Sequence, residues 1–250
     1  MKNYYIYPCR SDLIHEQKKL EEITYTNTKI KKYKDNNYDY ITIFFNNLNN
    51  KNNIKKIIIK ELLYFLNKLN IKKDSHIFII GLGNDNHTAD SIGPKTLKHI
   101  KVNSYLKNLG IKNNNTIISA LEPGVLGETG ILTENIIKSV SQEINPDLII
   151  LIDSFVSNNI NYLNKTIQIT DAGINPGSGL ISINTKIDKN TINIPTLVIG
   201  IPTAIEVKFT NNNNQNYIPY LLSTKDIDDY IKRISEIIGE SINESIGNLS

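Results

Sequence analysis

Three features of the sequence predict an α/β fold with three layers: a mostly parallel central sheet and helices on both faces. Two segments, His76–Ile80 and Asp147–Ile152, are almost wholly apolar beyond their first residue, as strands covered on both sides must be. Stretches with apolar residues three or four positions apart alternate with such runs, which is the period of a helix lying on a sheet. The polar residues able to carry chemistry follow the apolar runs directly, where a parallel sheet opens its crevice.

The elements follow in order. The first fifty residues read as an irregular arm followed by strands at Glu22–Ile30 and Tyr40–Phe45, both rich in β-branched and aromatic side chains. The run 46–53 is a polar, Asn-rich loop. Ile54, Ile57, Ile58, Leu62, Phe65, Leu66 and Leu69 form one apolar helix face. The strand at His76–Ile80 runs into the turn Gly81-Leu82-Gly83, and Thr116–Ala120 is a further strand. Thr133–Ile144 is a helix with Thr133 as its cap and Ile136, Ile137, Val140 and Ile144 on one side. The strand at 147–152 ends at Asp153; Thr166–Ile169 and Thr196–Ile199 add two more strands, and 211–216 is a loop. A final helix starts from a cap within Ser223–Asp226 and carries the stripe Ile227, Ile231, Ile234, Ile238 and Ile242. No internal repeat or domain boundary interrupts this order.

At 250 residues the chain fits one domain, or at most two small ones. No stretch reaches the roughly 18–20 apolar residues of a membrane span, and the first ten residues lack the apolar run of a secretory signal. A single cysteine, Cys9, rules out an internal disulfide and fits a reducing cytoplasm. The chain holds 46 Ile and 36 Asn against 4 Ala and 2 Arg, a skew toward residues favoured by AT-rich coding, so its Lys-based net charge of +3 says little about partners. The lysines alternate with acids and form no basic stripe with stacking aromatics, so nucleic-acid binding is not indicated.

Two carboxylates stand out by position. Asp90 follows the strand ending at Ile80 through Gly81-Leu-Gly-Asn-Asp-Asn-His-Thr-Ala, and Asp153 follows Ile152 directly. A carboxylate pair can hold one member ionised as base and the other neutral as acid, which suits water activation and amide hydrolysis. An Asp at a strand end is also an ordinary helix cap or turn former, and Asp85 lies in the same loop as Asp90. Other site types fit less well. The Gly81-Leu-Gly83 turn lacks the third glycine of a dinucleotide fingerprint, Gly93-Pro-Lys-Thr96 lacks phosphate-loop spacing, and no Gly-x-Ser-x-Gly elbow occurs. His15, His76, His87 and His99 have no zinc-type spacing, and neither metal nor cofactor is expected. Two segments, 122–130 with Gly124, Gly127 and Gly130, and 171–179 with Gly173, Gly177 and Gly179, read either as tight turns or as a cleft wall that admits an extended peptide.

The motifs Gly81-Leu-Gly-Asn84 with Asp90-Ser-Ile-Gly-Pro94, Pro123-Gly-Val-Leu-Gly-Glu-Thr-Gly130, Asn145–Asp153, Thr166–Gly179 and Ile199-Gly-Ile-Pro-Thr203 occur in one order across about half the chain. In that order the sequence resembles the germination protease family of endospore-forming bacteria. The resemblance implies a fold similar to that of hydrogenase maturation endopeptidases, and an endopeptidase that degrades small acid-soluble spore proteins during germination. It implies a homotetramer in the cytoplasm of the forespore and spore core, without direct nucleic-acid or membrane contact. The family's catalytic aspartates map onto Asp90 and Asp153, and the glycine segments above would then hold the substrate backbone. Arg10-Ser-Asp-Leu13 resembles the family's self-processing site, so a zymogen would cut between Asp12 and Leu13, dividing the chain into a propeptide of residues 1–12 and a peptidase domain of residues 13–250.

The chain departs from the family pattern at Asn175, Ala89 and Glu206, where His, Pro and Asp are usual. It also has only about twenty residues between the Pro-Thr motif and the last helix. Two rival readings are a nickel-dependent hydrogenase-maturation-type endopeptidase, which would need a third ligand, and a non-catalytic sporulation protein that kept the fold.

Overall fold

The computed structural model describes the chain apart from residues 1–4, 9–10, 19–20, 26–27, 36, 112–115, 176–185, 211–218 and 250. Strand β1 (Tyr5–Pro8) and the single turn of helix α1 (Ile14–Gln17) precede a meander of β2 (Glu21–Tyr25), β3 (Thr28–Asp35) and β4 (Tyr38–Phe45). The stretch expected as one strand over 22–30 is thus two, β2 and the start of β3, which pair antiparallel with Tyr25 opposite Thr28. Alternation in β4 buries Ile41, Ile43 and Phe45 on one face.

Helix α2 (Lys51–Lys68) starts at Asn50, whose side chain accepts from the Asn53 N–H, and buries the face expected from its periodicity, including Ile54, Ile58, Leu62 and Phe65. Strand β5 (His76–Gly81) leads through a 3-10 turn at Thr88–Asp90 into α3 (Ile92–Leu97) and α4 (Tyr105–Asn108). Then come β6 (Ile117–Leu121), α5 (Leu126–Thr129), α6 (Thr133–Ile144) and β7 (Leu148–Ser157). Strand β8 (Thr166–Thr170), α7 (Lys189–Ile192), β9 (Thr196–Thr210), β10 (Pro219–Leu222) and α8 (Ile227–Gly247) complete the chain.

Among the described residues ten strands make one mixed sheet in the order β2-β3-β4-β8-β9-β7-β5-β6, with β1 and β10 both pairing with β9. The block β6-β5-β7-β9 is parallel, because helices carry the chain back between its members. From β9 outward through β8, β4, β3 and β2 the pairing is antiparallel. The α/β class holds, and the parallel character expected from the apolar runs belongs to this central block.

Burial on both faces explains those runs. Ile77, Ile79, Leu148, Ile150, Leu197 and Ile199 pack toward α2, α3 and α8. Their alternates Phe78, Ile80, Ile149, Leu151 and Val198 pack with Ile137 of α6 and with Leu13 from the N-terminal arm. Each such side chain contributes about 1.5–3 kcal/mol on burial.

Two strands outrun their apolar cores. β7 continues five residues past Ile152 to Ser157, with a bulge between Phe155 and Val156, and β9 continues to Thr210. One expected cap differs, and the other falls at Asp226, inside the expected range. Thr133 is the first helical residue rather than the cap, and its hydroxyl donates to the Gly124 carbonyl at 3.3 Å. Asp226 sits at the N-cap of α8 without a side-chain capping bond, while Ser223 donates to the Thr203 carbonyl at 2.5 Å.

One contact fixes α3 to the sheet. A Cβ on Gly93 would lie 2.2 Å from the Leu82 carbonyl oxygen, and one on Gly81 would lie 2.5 Å from the Gly93 carbonyl carbon and oxygen. The two backbones touch where any side chain would part them. Gly93→Ala is expected to lower stability by about 2–3 kcal/mol, read as a shift in urea midpoint at unchanged m-value.

Candidate active site

The parallel block ends at the rim where β5 and β7 stop pairing. Gly81 stands opposite Ile152, and the Leu82 N–H donates to the Ile152 carbonyl at 2.8 Å. Beyond this point the chain turns at Gly83, with φ at +110°, a conformation open to glycine and strained for other residues. The loop then folds back. The Asn84 N–H donates to the Asp90 carbonyl at 3.0 Å, and the Asp90 N–H donates to the His87 carbonyl at 2.8 Å. A Cβ at Gly83 would sit 1.9 Å from that Asp90 carbonyl oxygen and 3.1 Å from the carboxylate Oδ1, so the missing side chain is what lets Asp90 lie over the strand end. Thr203 of β9 anchors the same turn by donating to the Ala89 carbonyl at 2.5 Å.

In this seat burial pushes the Asp90 pKa up to about 6. A backbone hydrogen bond from Asn84 and the nearby His87 oppose the rise, and the charge of Glu128 adds to it. Glu128 is linked to the Asp90 loop by Asn86, whose Nδ2 donates to its Oε1 at 3.1 Å. Asp85, the other acid of the loop, has a different fate. Lys98 and Lys95 bond it at 2.8 and 2.9 Å and hold its carboxyl below the usual range.

Asp153 stands on β7, the strand next to β5, one residue past the partner of Gly81. It is half-buried, and its Oδ1 accepts from the Ser154 N–H at 2.9 Å. The turn carrying Asp90 packs against both β7 and β9. The two acids therefore occupy one rim, Asp90 on the turn after β5 and Asp153 at the point where β7 runs on past its pairing with β5. Among the described residues no group of three His, Cys, Asp or Glu side chains is arranged to hold a metal ion.

The glycine segments divide. Gly124 has φ at +70°, Gly130 ends α5 in the left-handed conformation, and a Cβ on Gly127 would meet open space. Between them lies Glu128, so this loop borders the Asp90 side of the rim. Gly173, with φ at +79°, backs onto the chain at Ile187 and Asp188, where a Cβ would fall 2.4 Å from the Ile187 carbonyl oxygen. Gly177 and Gly179 lie outside the described residues.

The Gly173 loop is anchored by an acid that the sequence reading left without a role. Asp171 accepts from the Asp39 N–H at 2.7 Å and from Lys68 Nζ at 2.6 Å. Lys68 also pairs with Asp39 at 2.8 Å, and the Tyr64 hydroxyl donates to Asp39 at 2.6 Å. Burial works against the Asp39 charge, yet the bonds from Lys68 and Tyr64 hold its pKa below the usual range. The bond to Asp39, reinforced by burial, pushes Tyr64 up to about 12.

The bond expected to be cut, Asp12–Leu13, lies on the extended end of β7. The Asp12 N–H donates to the Val156 carbonyl at 3.0 Å, and the Asp12 carboxylate accepts from the Val156 N–H at 2.9 Å. Leu13 is fully buried. Sequence reasoning gave no individual role to Thr203, Glu128 or Gln168, although each lies within one of the motifs that carry the family resemblance; Gln168 is also conspicuous as a polar residue within the apolar strand Thr166-Ile-Gln-Ile169.

The sequence profile of the germination protease family matches residues 10–222. The chain belongs to the germination protease family. Germination protease of Geobacillus sp. (strain WCH70) is 32% identical over 223 residues, 84% of this chain and 60% of that protein. Germination protease of Oceanobacillus iheyensis is 34% identical over 187 residues, 72% of this chain and 51% of that protein. Germination protease of Priestia megaterium is 37% identical over 168 residues, 66% of this chain and 45% of that protein. The chain thus matches about half the length of these relatives.

Two outcomes follow from the charges described. A raised carboxyl pKa favours the folded state below the unfolded value near 4, and that advantage is lost as pH rises through about 6. Asp90→Asn is therefore expected to stabilise the fold by about 1–3 kcal/mol at pH 7.5 and by little at pH 4, in paired urea titrations. Lys68→Met leaves two buried carboxylates facing each other and is expected to cost about 2–4 kcal/mol at pH 7. Lys68 helps hold the Asp39 pKa down, so that loss shrinks as pH falls toward 4, which thermal unfolding across the same range would record.

Proposed function

We infer that this member of the germination protease family is an endopeptidase in which Asp90 and Asp153 activate a water molecule against a peptide carbonyl. The observation that carries the reading is the rim itself: one acid raised toward neutrality by burial, the other on the adjacent strand. A carboxyl with a pKa near 6 is partly protonated where cytoplasmic chemistry runs, which suits Asp90 to donate a proton to the carbonyl oxygen or the leaving amine. Asp153, ionised, takes the proton of the attacking water. The loops at 123–130 and 173–179 would hold the substrate backbone, through Gly124, Gly127 and Gly130 on one side and Gly173, Gly177 and Gly179 on the other.

The substrates on this reading are small acid-soluble spore proteins, met in the spore core by a homotetramer of this chain. The chain is made as a zymogen of two parts, residues 1–12 and 13–250, and cuts its own Asp12–Leu13 bond to begin at Leu13. The family membership supports this. No described helix is long and apolar enough to cross a membrane.

The purified chain incubated with a small acid-soluble spore protein should cleave it, with kcat falling above about pH 6 as Asp90 loses its proton. Asp90→Asn and Asp153→Asn should each lower the rate by about 10³-fold or more with the fold intact by circular dichroism. Near-normal turnover in either variant removes that residue from the mechanism. Amino-terminal sequencing after activation should read Leu13 first, and another start would refute the assigned cut.

A further inference from the structure

Gln168 lies in the middle of β8 and is 2% exposed, flanked by Ile167 and Ile169, which point to the opposite face. A polar group buried this deeply needs partners, and both of its amide atoms find them on the N-terminal arm. Its Oε1 accepts from the Ile14 N–H at 2.7 Å, and its Nε2 donates to the Asp12 carbonyl at 3.3 Å. A carbonyl and the N–H two residues further on are the pair a parallel neighbouring strand would engage. The side-chain amide of Gln168 takes the place of that strand's peptide. The Asp12–Leu13 amide is held at its other end too, since the Leu13 N–H donates to Ser11 Oγ at 3.0 Å.

The registers connect this grip to the rim. Gln168 stands opposite Gly200, and Gly200 opposite Asp153, so all three share one row across β8, β9 and β7. Gln168 is two strands, roughly 10 Å, from Asp153. Gly200 has no side chain, and the ring of Phe155 fills its place: a Cβ there would be 2.1 Å from that ring.

We propose that Gln168 is a positioning residue for cleavage of the chain's own Asp12–Leu13 bond. It fixes the carbonyl to be attacked and the N–H beyond it in the row that also carries Asp153. The proposal rests on Asp12–Leu13 being the self-cut bond.

The test uses the full chain with Gln168→Leu, Ile14→Pro and the two combined. Ile14 opens α1, where proline is tolerated, and Leu13 before it has φ −84° and ψ 122°, which proline allows. Gln168→Glu is the second variant at the buried site, keeping the acceptor for Ile14 and losing the donor to Asp12. Each single change should slow the appearance of the Leu13 amino terminus by about 10–100-fold at a melting temperature that does not track the loss. The combined variant should be no slower than the slower single one, because both changes break one contact. Mass spectrometry should also find cuts outside Asp12–Leu13 in the Gln168 variants. Rates that multiply, or variants that cut as fast and at the same bond as the unsubstituted chain, overturn the role of Gln168 alone. An unsubstituted chain that never yields Leu13 overturns the self-cut and this inference with it.

Discussion

The turn after β5 folds back on itself at Gly83, and that contact decides where the first carboxylate stands. With a side chain at 83 the Asp90 carbonyl would be displaced, and with side chains at 81 or 93 helix α3 would lift off the strand end. Three glycines thus let backbone press on backbone at the point where β5 stops pairing with β7. The consequence is electrostatic. Asp90 is held against the strand end, largely out of water, and its neutral form gains at the expense of the charged one. Asp153 needs no such device, because it is simply the next residue on a neighbouring strand whose apolar run has ended.

Several polar groups around this rim are tied to main chain or to each other. Thr203 bonds the Ala89 carbonyl and Asn86 reaches Glu128, while toward the opposite edge, where antiparallel β8 ends, Lys68 gathers Asp39 and Asp171 beneath the Gly173 loop. Each bond joins segments far apart in the sequence, so the loops at the carboxyl edge are positioned by the sheet rather than by their own turns. The N-terminal arm is drawn into the same scheme. Asp12 adds a short rung to β7, Gln168 adds another from β8, and Leu13 fills a place in the core beside Phe155.

Much of this was legible in the residues. The apolar runs at 76–80 and 147–152 announced a sheet covered on both faces, and the order of residues after them put Asp90 on the turn beyond β5 and Asp153 next to Ile152 on β7. The periodicity of α2, α6 and α8 marked their buried faces. The hairpin of β2 and β3 was not legible, since Glu22–Ile30 carries strand-forming residues throughout and only tertiary pairing breaks it. Nor were the extensions of β7 and β9, which pair with each other and are flanked by the N-terminal arm and β10, since the apolar runs stop before them. The cap at Thr133 misled because a hydroxyl near a helix start has other carbonyls to choose from once the chain is folded. Asp85 and Asp90 could not be ranked by spacing; Lys95 and Lys98, one and two helical turns on, neutralise Asp85 only in three dimensions.

The central claim is that Asp90 and Asp153 act on one water molecule between them, and a direct measurement of their coupling tests it. Carboxyl carbon resonances of the full chain, labelled at aspartate, would be titrated with Asp153 intact and with Asp153→Asn. Two carboxyls that share a water interact, so neutralising Asp153 should lower the Asp90 pKa from its value near 6. An Asp90 titration curve that does not move when the Asp153 charge is removed would contradict the shared water and the hydrolytic mechanism built on it.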